Sequence, residues 1–241
     1  MHNPVIVALD VASQAEGEEL LRSFDDRTIF LKIGMELFYQ EGPGLVKTLK
    51  QQGHQIFLDL KLHDIPTTVY KTMKGLARLG VDMVNVHAAG GKAMMAQAIA
   101  GLKAGTPTGK RHPMCLAVTQ LTSTDEATLQ QELLINHSMD DVIVSYGQLA
   151  AKSGCDGVVC SPWEAERIKS SVHQDFITVT PGIRFSEDAA NDQKRIATPS
   201  RAKELGSDYI VVGRSIAKAQ NPNQAYQRVL TEWRQEHETS S

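Results

Sequence analysis

The most constraining feature of this chain is a regular alternation of short apolar runs with longer stretches of helical periodicity. The apolar runs lie at residues 5–10, 29–34, 55–61, 83–88, 114–121, 156–160, 176–182 and 209–213. The amphipathic stretches that predict helices lie at residues 13–24, 36–52, 67–79, 91–103, 139–153, 162–170 and 222–236. Continuous apolar runs are typical of strands that are buried on both faces of a parallel sheet. The pattern therefore predicts strand–helix–strand units along the whole chain.

The number of these units favours one particular α/β architecture. Eight units in 241 residues match a single (β/α)8 TIM barrel, for which about 250 residues is typical. A doubly wound open sheet is the alternative, but no GxGxxG motif of a dinucleotide-binding sheet follows the first run. Since no Pro-, Gly- or Ser-rich linker divides the sequence, we predict one TIM-barrel domain over residues 1–241.

Charge and cysteine content exclude several classes of protein. The chain has 25 Lys and Arg against 28 Asp and Glu, a net charge of −3, which provides no general attraction to nucleic acid or acidic membranes. No apolar run approaches the ~18 residues that a membrane span requires, and the N-terminus lacks a signal-peptide pattern. The three cysteines (Cys115, Cys155 and Cys160) form no CxxC pair, which indicates a reducing compartment. We expect a cytoplasmic protein without nucleic-acid or membrane partners.

Charged residues occur at the ends of the first three predicted strands, where barrel enzymes place their active sites. Asp10 closes the first strand, Lys32 lies near the end of the second, and the third leads through Asp59 and Lys61 to Asp64. Strand alternation places Asp59 and Lys61 on one face, with Asp64 in the turn beyond. A single charge at such a position is often a helix cap or a solvated rim residue, and Asp64 also resembles a helix start. Together, however, these residues predict a network of lysines and aspartates in one pocket.

A second polar group follows the last two predicted strands. The seventh strand continues into TPGIR at 180–184, and the eighth continues into Gly213 and Arg214. The loops after strands seven and eight form the common phosphate site of TIM barrels. Gly213 permits close approach of the backbone, and the guanidinium fork of Arg214 suits phosphate oxygens. A tight turn with a surface arginine is the alternative. Both groups together indicate a barrel that acts on a phosphorylated small molecule with lysines and carboxylates.

The segment FLDLKLHDIPTTV at 57–69 resembles the signature of the orotidine 5′-monophosphate decarboxylase family. The DxKxxD pattern alone is shared with sugar-phosphate decarboxylases and synthases of the same superfamily. Further matches extend over essentially the full chain: VALD at 7–10, LKIGMELF at 31–38, VTQLTS at 118–123, TPGIR at 180–184, NDQKRIATP at 191–199 and YIVVGRSI at 209–216. In this order the motifs are specific to the family and most similar to its bacterial branch.

The resemblance implies cofactor-independent decarboxylation of orotidine 5′-monophosphate to uridine 5′-monophosphate, at the end of pyrimidine nucleotide synthesis. It implies a catalytic network of Lys32, Asp59, Lys61 and Asp64, with Lys61 as the proton donor. In such enzymes the aspartate that matches Asp64 belongs to the neighbouring subunit's site, so the resemblance also implies a homodimer with shared active sites. No metal site is implied.

The resemblance further implies the substrate contacts. Asp10 and Lys32 would bind the ribose hydroxyls, with Thr68 nearby, and Thr122 and Ser123 would lie beside the pyrimidine. The residues implied for the phosphate are Arg184, Gln193, Gly213 and Arg214. The long polar segment at 185–199, which carries Gln193, would close over the substrate.

Three other functions remain as alternatives. A related barrel decarboxylase or synthase acting on a ketose phosphate would need a magnesium ion and an acidic ligand near the second strand, where this chain has Lys32, Gly34 and Glu36. A phosphate-sugar isomerase would share the phosphate site but lack the DxKxxD pattern. A non-catalytic nucleotide-binding regulator would not need Lys61 and its two aspartates.

Overall fold

Eight parallel strands close into a barrel in sequence order. The computed structural model describes residues 3–25, 27–188 and 196–234. The strands are β1 (Val5–Ala8), β2 (Phe30–Gly34), β3 (Gln55–Leu62), β4 (Met83–His87), β5 (Met114–Val118), β6 (Gly157–Val159), β7 (Ile177–Thr180) and β8 (Tyr209–Val212). Pairing of Val7 in β1 with Val212 in β8 closes the barrel. The predicted TIM barrel is thus confirmed, and the closed barrel excludes the alternative of an open doubly wound sheet.

Helices connect the strands on the outside of the barrel. They are α1 (Gln14–Arg22), α2 (Met35–Gln51), α3 (Pro66–Ala77), α4 (Gly91–Gly105), α5 (Met139–Lys152), α6 (Ala165–Ser171), α7 (Pro199–Glu204), α8 (Arg214–Ala217) and α9 (Pro222–Arg234). The sequence pattern did not predict α7 and α8, because six and four residues are too few to show helical periodicity. Among the described helices, none combines the length and apolarity that crossing a membrane would require.

The apolar side chains of the strands form two separate layers. Ile6, Phe30 and Phe57 belong to the cluster that fills the inside of the barrel. Their neighbours Val5 and Val7 belong to the larger cluster between the strands and the helices. Because both faces of each strand are buried, the strands are apolar without alternation, as the sequence predicted.

The inner layer also determines which polar residues face the barrel axis. Ala8, Phe30 and Phe57 lie in the inner cluster. Lys32 and Asp59 lie two residues further along β2 and β3, and Asp10 lies two residues beyond the end of β1. Strand side chains repeat their direction every two residues, so these polar groups continue the inward face. They therefore lie above the apolar filling, at the carboxyl ends of the strands, which we call the mouth.

Candidate active site

The mouth contains a cavity of about 510 Å³, within the usual range for small-molecule sites. Most of the residues that the sequence singled out line it: Asp10, Lys32, Asp59, Lys61, Thr122, Ser123, Arg184, Gly213 and Arg214. Apolar side chains of β3, β5 and β6 (Phe57, Val118 and Val159) also line it. Gln193, the remaining phosphate candidate, lies outside the described residues.

Four charged side chains in the cavity alternate in sign, and we call them the ion chain: Asp10, Lys32, Asp59 and Lys61. Lys32 Nζ lies 2.9 Å from Asp10 Oδ1 and 3.5 Å from Asp59 Oδ2. Lys61 Nζ lies 2.7 Å from Asp59 Oδ1. The side chains of Lys32 and Asp59 are only 13% and 11% exposed, whereas Asp10 is 62% exposed. The middle of the ion chain is thus shielded from water, where either charge alone would be strongly unfavourable.

The ion chain maintains both of its buried members in their charged forms. Burial would lower the pKa of Lys32, but Asp10 and Asp59 raise it above its ordinary value. Burial would likewise raise the pKa of Asp59, but the charges of Lys32 and Lys61 and hydrogen bonds from Lys61 and Asn85 hold it below its ordinary value. Opposite charges thus outweigh desolvation at both groups, and both are ionised at neutral pH.

Lys61 reaches the cavity through an irregular stretch of β3. Leu58 pairs with Val84 and Leu62 with Val86, and the register between β3 and β4 shifts between these pairs. Lys61 has a φ of 49°, in the left-handed region that non-glycine residues seldom adopt. Such a backbone costs about 1–3 kcal/mol and is typical of functional sites. Lys61 and Asp59 both line the cavity, but the bulge, and not regular strand alternation alone, directs the lysine.

Asn85 of β4 is a site residue that the sequence reasoning missed. Its side chain is 1% exposed and lies opposite the irregular part of β3. Asn85 Nδ2 donates a hydrogen bond of 2.7 Å to Asp59 Oδ1, and Asn85 Oδ1 accepts one of 2.7 Å from the Lys61 backbone N–H. A polar residue within the apolar run MVNVHA was the available signal, because buried amides require partners.

Asp64 and Thr68 do not line the cavity of this chain. Both are exposed. Asp64 Oδ1 accepts a hydrogen bond of 2.6 Å from the Ile65 backbone N–H, directly before α3 begins at Pro66. One chain thus brings three members of the predicted four-residue network together, namely Lys32, Asp59 and Lys61, and Asp10 is joined to them through Lys32.

Three residues that follow β7 and β8 also line the cavity. They are Arg184, Gly213 and Arg214, and we call them the phosphate wall after the ligand that the sequence predicts for them. Arg184 is 5% exposed, and its Nη1 donates to the carbonyl oxygen of Ile183 at 3.0 Å. Gly213 caps α8, and Arg214 is the first residue of that helix. A Cβ placed on Gly213 would lie 3.8 Å from Asp10 Oδ2, so the phosphate wall adjoins the outer end of the ion chain.

The cavity therefore combines three chemical surfaces. The ion chain supplies two ammonium groups, the phosphate wall supplies two guanidinium groups, and Thr122 and Ser123 supply hydroxyl groups from the loop after β5. Such a cavity suits a polar anionic ligand. Among the described residues, no three His, Cys, Asp or Glu side chains group closely enough to hold a metal ion.

Comparison with known proteins agrees with this geometry. A model of the orotidine 5′-phosphate decarboxylase / HUMPS family matches residues 3–229. The orotidine 5′-phosphate decarboxylase of Bacillus caldolyticus is 58% identical over 233 residues, which cover 97% of this chain and 96% of that protein. The crystal structure of orotidine 5′-phosphate decarboxylase from Lactobacillus acidophilus has a TM-score of 0.89 and 44% identity, covering 97% of this chain and 100% of that one. The enzyme from Pyrococcus horikoshii, at 22% identity and a TM-score of 0.75 over 96% of this chain and 100% of its own, shares the fold. With motifs, barrel and relatives in agreement, the chain belongs to the orotidine 5′-phosphate decarboxylase family.

Proposed function

We propose that the cavity at the mouth is where this chain decarboxylates orotidine 5′-monophosphate to uridine 5′-monophosphate and carbon dioxide, without a metal or organic cofactor. Membership of the family supports the reaction. The observation that connects the reaction to this cavity is the buried ion chain, which ends in the Lys61 ammonium 2.7 Å from Asp59.

The reaction requires a cation and a proton at one ring carbon. When the bond between C6 of the pyrimidine and its carboxylate breaks, the electron pair remains on C6. An ammonium group fixed beside C6 stabilises that charge in a site of low dielectric constant. It then transfers a proton to C6 and recovers one from solvent. Lys61 is the residue that we assign to both steps.

Asp59 and Lys32 prepare Lys61 for this role. Asp59 accepts the hydrogen bond of the Lys61 ammonium at 2.7 Å, so it fixes the direction of the lysine side chain. Lys32 lies on the other oxygen of the same carboxylate, and its positive charge keeps Asp59 ionised. The ion chain is therefore arranged before the substrate binds, which reduces the reorganisation that the reaction requires.

We assign the rest of the cavity to binding the nucleotide. The phosphate wall, together with Gln193, would bind the phosphate, Asp10 and Lys32 the ribose hydroxyls, and Thr122 and Ser123 the pyrimidine. The guanidinium groups of Arg184 and Arg214 suit phosphate oxygens. Binding energy from this remote group can lower the barrier at C6 by orienting and desolvating the ring. This contribution matters because enzymes lower barriers by roughly 8–23 kcal/mol, more than one lysine supplies.

We infer that the chain works as a homodimer in which each subunit contributes Asp64 and Thr68 to its partner's site. Both residues are exposed beside the mouth and do not line the cavity of their own chain. Between them, Ile65 presents an apolar side chain that is 67% exposed. A second subunit that covered this segment would bury Ile65 and bring a second carboxylate to Lys61, in addition to Asp59.

We also propose a cytoplasmic location. Cys115, Cys155 and Cys160 are all buried and unbridged. Buried free thiols fit a protein of a reducing compartment, where nucleotide synthesis takes place.

A direct assay tests the proposed function. Purified protein is incubated with orotidine 5′-monophosphate in the presence of EDTA, while the ultraviolet absorbance of the pyrimidine is followed and uridine 5′-monophosphate is quantified. We expect stoichiometric conversion, and none with Lys61→Ala. Turnover of a ketose phosphate that requires added magnesium, without turnover of orotidylate, would establish the related decarboxylase or synthase instead. Nucleotide binding without any turnover would indicate a regulator.

A further inference from the structure

We propose that Asn85 is a positioning residue for the decarboxylation, which holds the Asp59 carboxylate and the Lys61 backbone in the arrangement that proton delivery requires. The proposal rests on the function assigned above to Lys61. It starts from the observation that one buried amide joins two members of the ion chain.

The register shift between β3 and β4 places Asn85 opposite the bulge. Leu58 pairs with Val84 and Leu62 pairs with Val86. Three residues of β3 (59–61) thus lie opposite Asn85 alone on β4. Regular backbone pairing is interrupted there, and the Lys61 N–H donates instead to the Asn85 side chain. The amide therefore stabilises the bulge that carries both Asp59 and Lys61.

The partners of Asn85 determine which way its amide points. The Lys61 N–H can only donate a hydrogen bond, and the ionised Asp59 carboxylate can only accept one. Asn85 must therefore direct its oxygen to Lys61 and its NH2 group to Asp59. An aspartate at this position would have the same shape, but its carboxylate would face the Asp59 carboxylate and repel it. A leucine would leave the Lys61 N–H without this partner.

Asn85 also determines the rotation of the Asp59 carboxylate. Asp59 Oδ1 accepts from both Asn85 Nδ2 and Lys61 Nζ, each at 2.7 Å. Its second oxygen, Oδ2, lies 3.5 Å from Lys32 Nζ. Fixing the carboxylate from the side of β4 prevents it from turning away from Lys61 when the ammonium moves to deliver its proton.

The test uses two variants of similar side-chain size, Asn85→Asp and Asn85→Leu. For Asn85→Asp we expect kcat to fall about 100-fold at a pH of about 8, with KM within about fivefold of wild type, because the donor to Asp59 is replaced by a like charge. As the pH falls, the two facing carboxylates come to share a proton, and the hydrogen-bond donor to Asp59 is restored. The ratio of wild-type to Asn85→Asp kcat should then shrink. For Asn85→Leu we expect a similar loss that does not change with pH.

Thr178→Val is the matched control. Thr178 is equally buried in a barrel strand, but it bonds Gly206 and Asp208, away from the mouth, at 3.0 and 3.1 Å. We expect it to lower the thermal midpoint without changing kcat. If both Asn85 variants behave like this control, with kcat per folded molecule within threefold of wild type, the positioning role is wrong.

Even if Asn85→Leu does not fold, the change with pH in the ratio of wild-type to Asn85→Asp kcat tests the proposal. A loss in Asn85→Asp that is the same at every pH would also overturn the proposal, because a lost hydrogen-bond donor must return with protonation. Wild-type protein in the same assay keeps the two proposals apart. Inactive wild type would contradict the proposed function, whereas active wild type with unaffected Asn85 variants would contradict only the role of Asn85.

Discussion

The Lys61 ammonium and the Asp59 carboxylate lie 2.7 Å apart, although the backbone at Lys61 has left the regular strand conformation with a φ of 49°. Regular strand geometry already places residues 59 and 61 on the same side of a strand. The bulge lies at this ion pair, and both side chains line the cavity. The surrounding contacts offset the conformational cost of the bulge, as expected of a functional site.

Removing the lysine of this pair should eliminate catalysis without eliminating binding. For Lys61→Ala we expect kcat to fall at least about 10³-fold, since both charge stabilisation and the proton donor are lost. The affinity for uridine 5′-monophosphate, measured by calorimetry, should change less than about tenfold, because the phosphate wall remains. Lys50→Ala is the control, since Lys50 forms a comparable ion pair with Asp82, outside the cavity, at 2.6 Å. A Lys61→Ala enzyme with substantial turnover would contradict the assignment.

The phosphate wall should act on turnover as well as on affinity. For Arg214→Ala we expect kcat/KM for orotidine 5′-monophosphate to fall about 100-fold or more, because a charge-assisted contact and its orienting effect are lost. The nucleoside orotidine lacks the phosphate, so the same variant should process it as slowly as wild type does. Arg167→Ala is the control, because Arg167 pairs with Asp140 on the outer helices. Equal defects towards both substrates would argue against a phosphate contact.

Shared active sites can be tested by mixing two inactive proteins. Lys61→Ala and Asp64→Ala each have a defect in every site of their own homodimer. After random exchange of subunits, half of the dimers are mixed, and each mixed dimer has one site with both residues intact. Activity should therefore recover to about a quarter of the wild-type value. No recovery, despite exchange verified by mass spectrometry, would exclude the proposed exchange of Asp64.

The depressed pKa of Asp59 predicts a particular pH dependence of stability. Its charged form contributes stability that is fully present above the unfolded value of about 3.9 and is lost as the pH falls through the lower folded value. We compare wild type with Asp59→Asn by urea unfolding. The difference between their free energies of unfolding should be constant above a pH of about 5 and should shift against wild type below about 4. A difference that stays constant into the acid range would show that Asp59 is not held ionised.

The barrel could be predicted from the sequence because its signals are local. Val5 and Val7 face the helices while Ile6 faces the axis, so each strand is apolar throughout. Their position at the ends of predicted strands placed Asp10, Lys32 and Asp59 at the mouth correctly, because the carboxyl ends of parallel barrel strands meet at one face. These inferences need no knowledge of which strand is next to which.

The parts that the sequence did not reveal depend on contacts between distant segments. Asn85 lies inside an apolar run, and its importance comes from a bulge in β3 that only the pairing with β4 displays. Asp64 is the last residue of the DxKxxD pattern, but its position relative to Lys61 depends on a turn and, in our proposal, on a second chain. The helix α8 is too short for its periodicity to be detected.

The pairing of β1 with β8 has a consequence for how the enzyme is made. Asp10 is synthesised long before its neighbour Gly213, which directly follows β8. A nascent chain that has completed β3 already carries every lysine and aspartate of the ion chain, but none of the residues that we assign to the phosphate. In the proposed function, the site is therefore complete only when the final strand closes the barrel, and a truncated translation product would have Lys61 without the residues assigned to nucleotide binding at the phosphate.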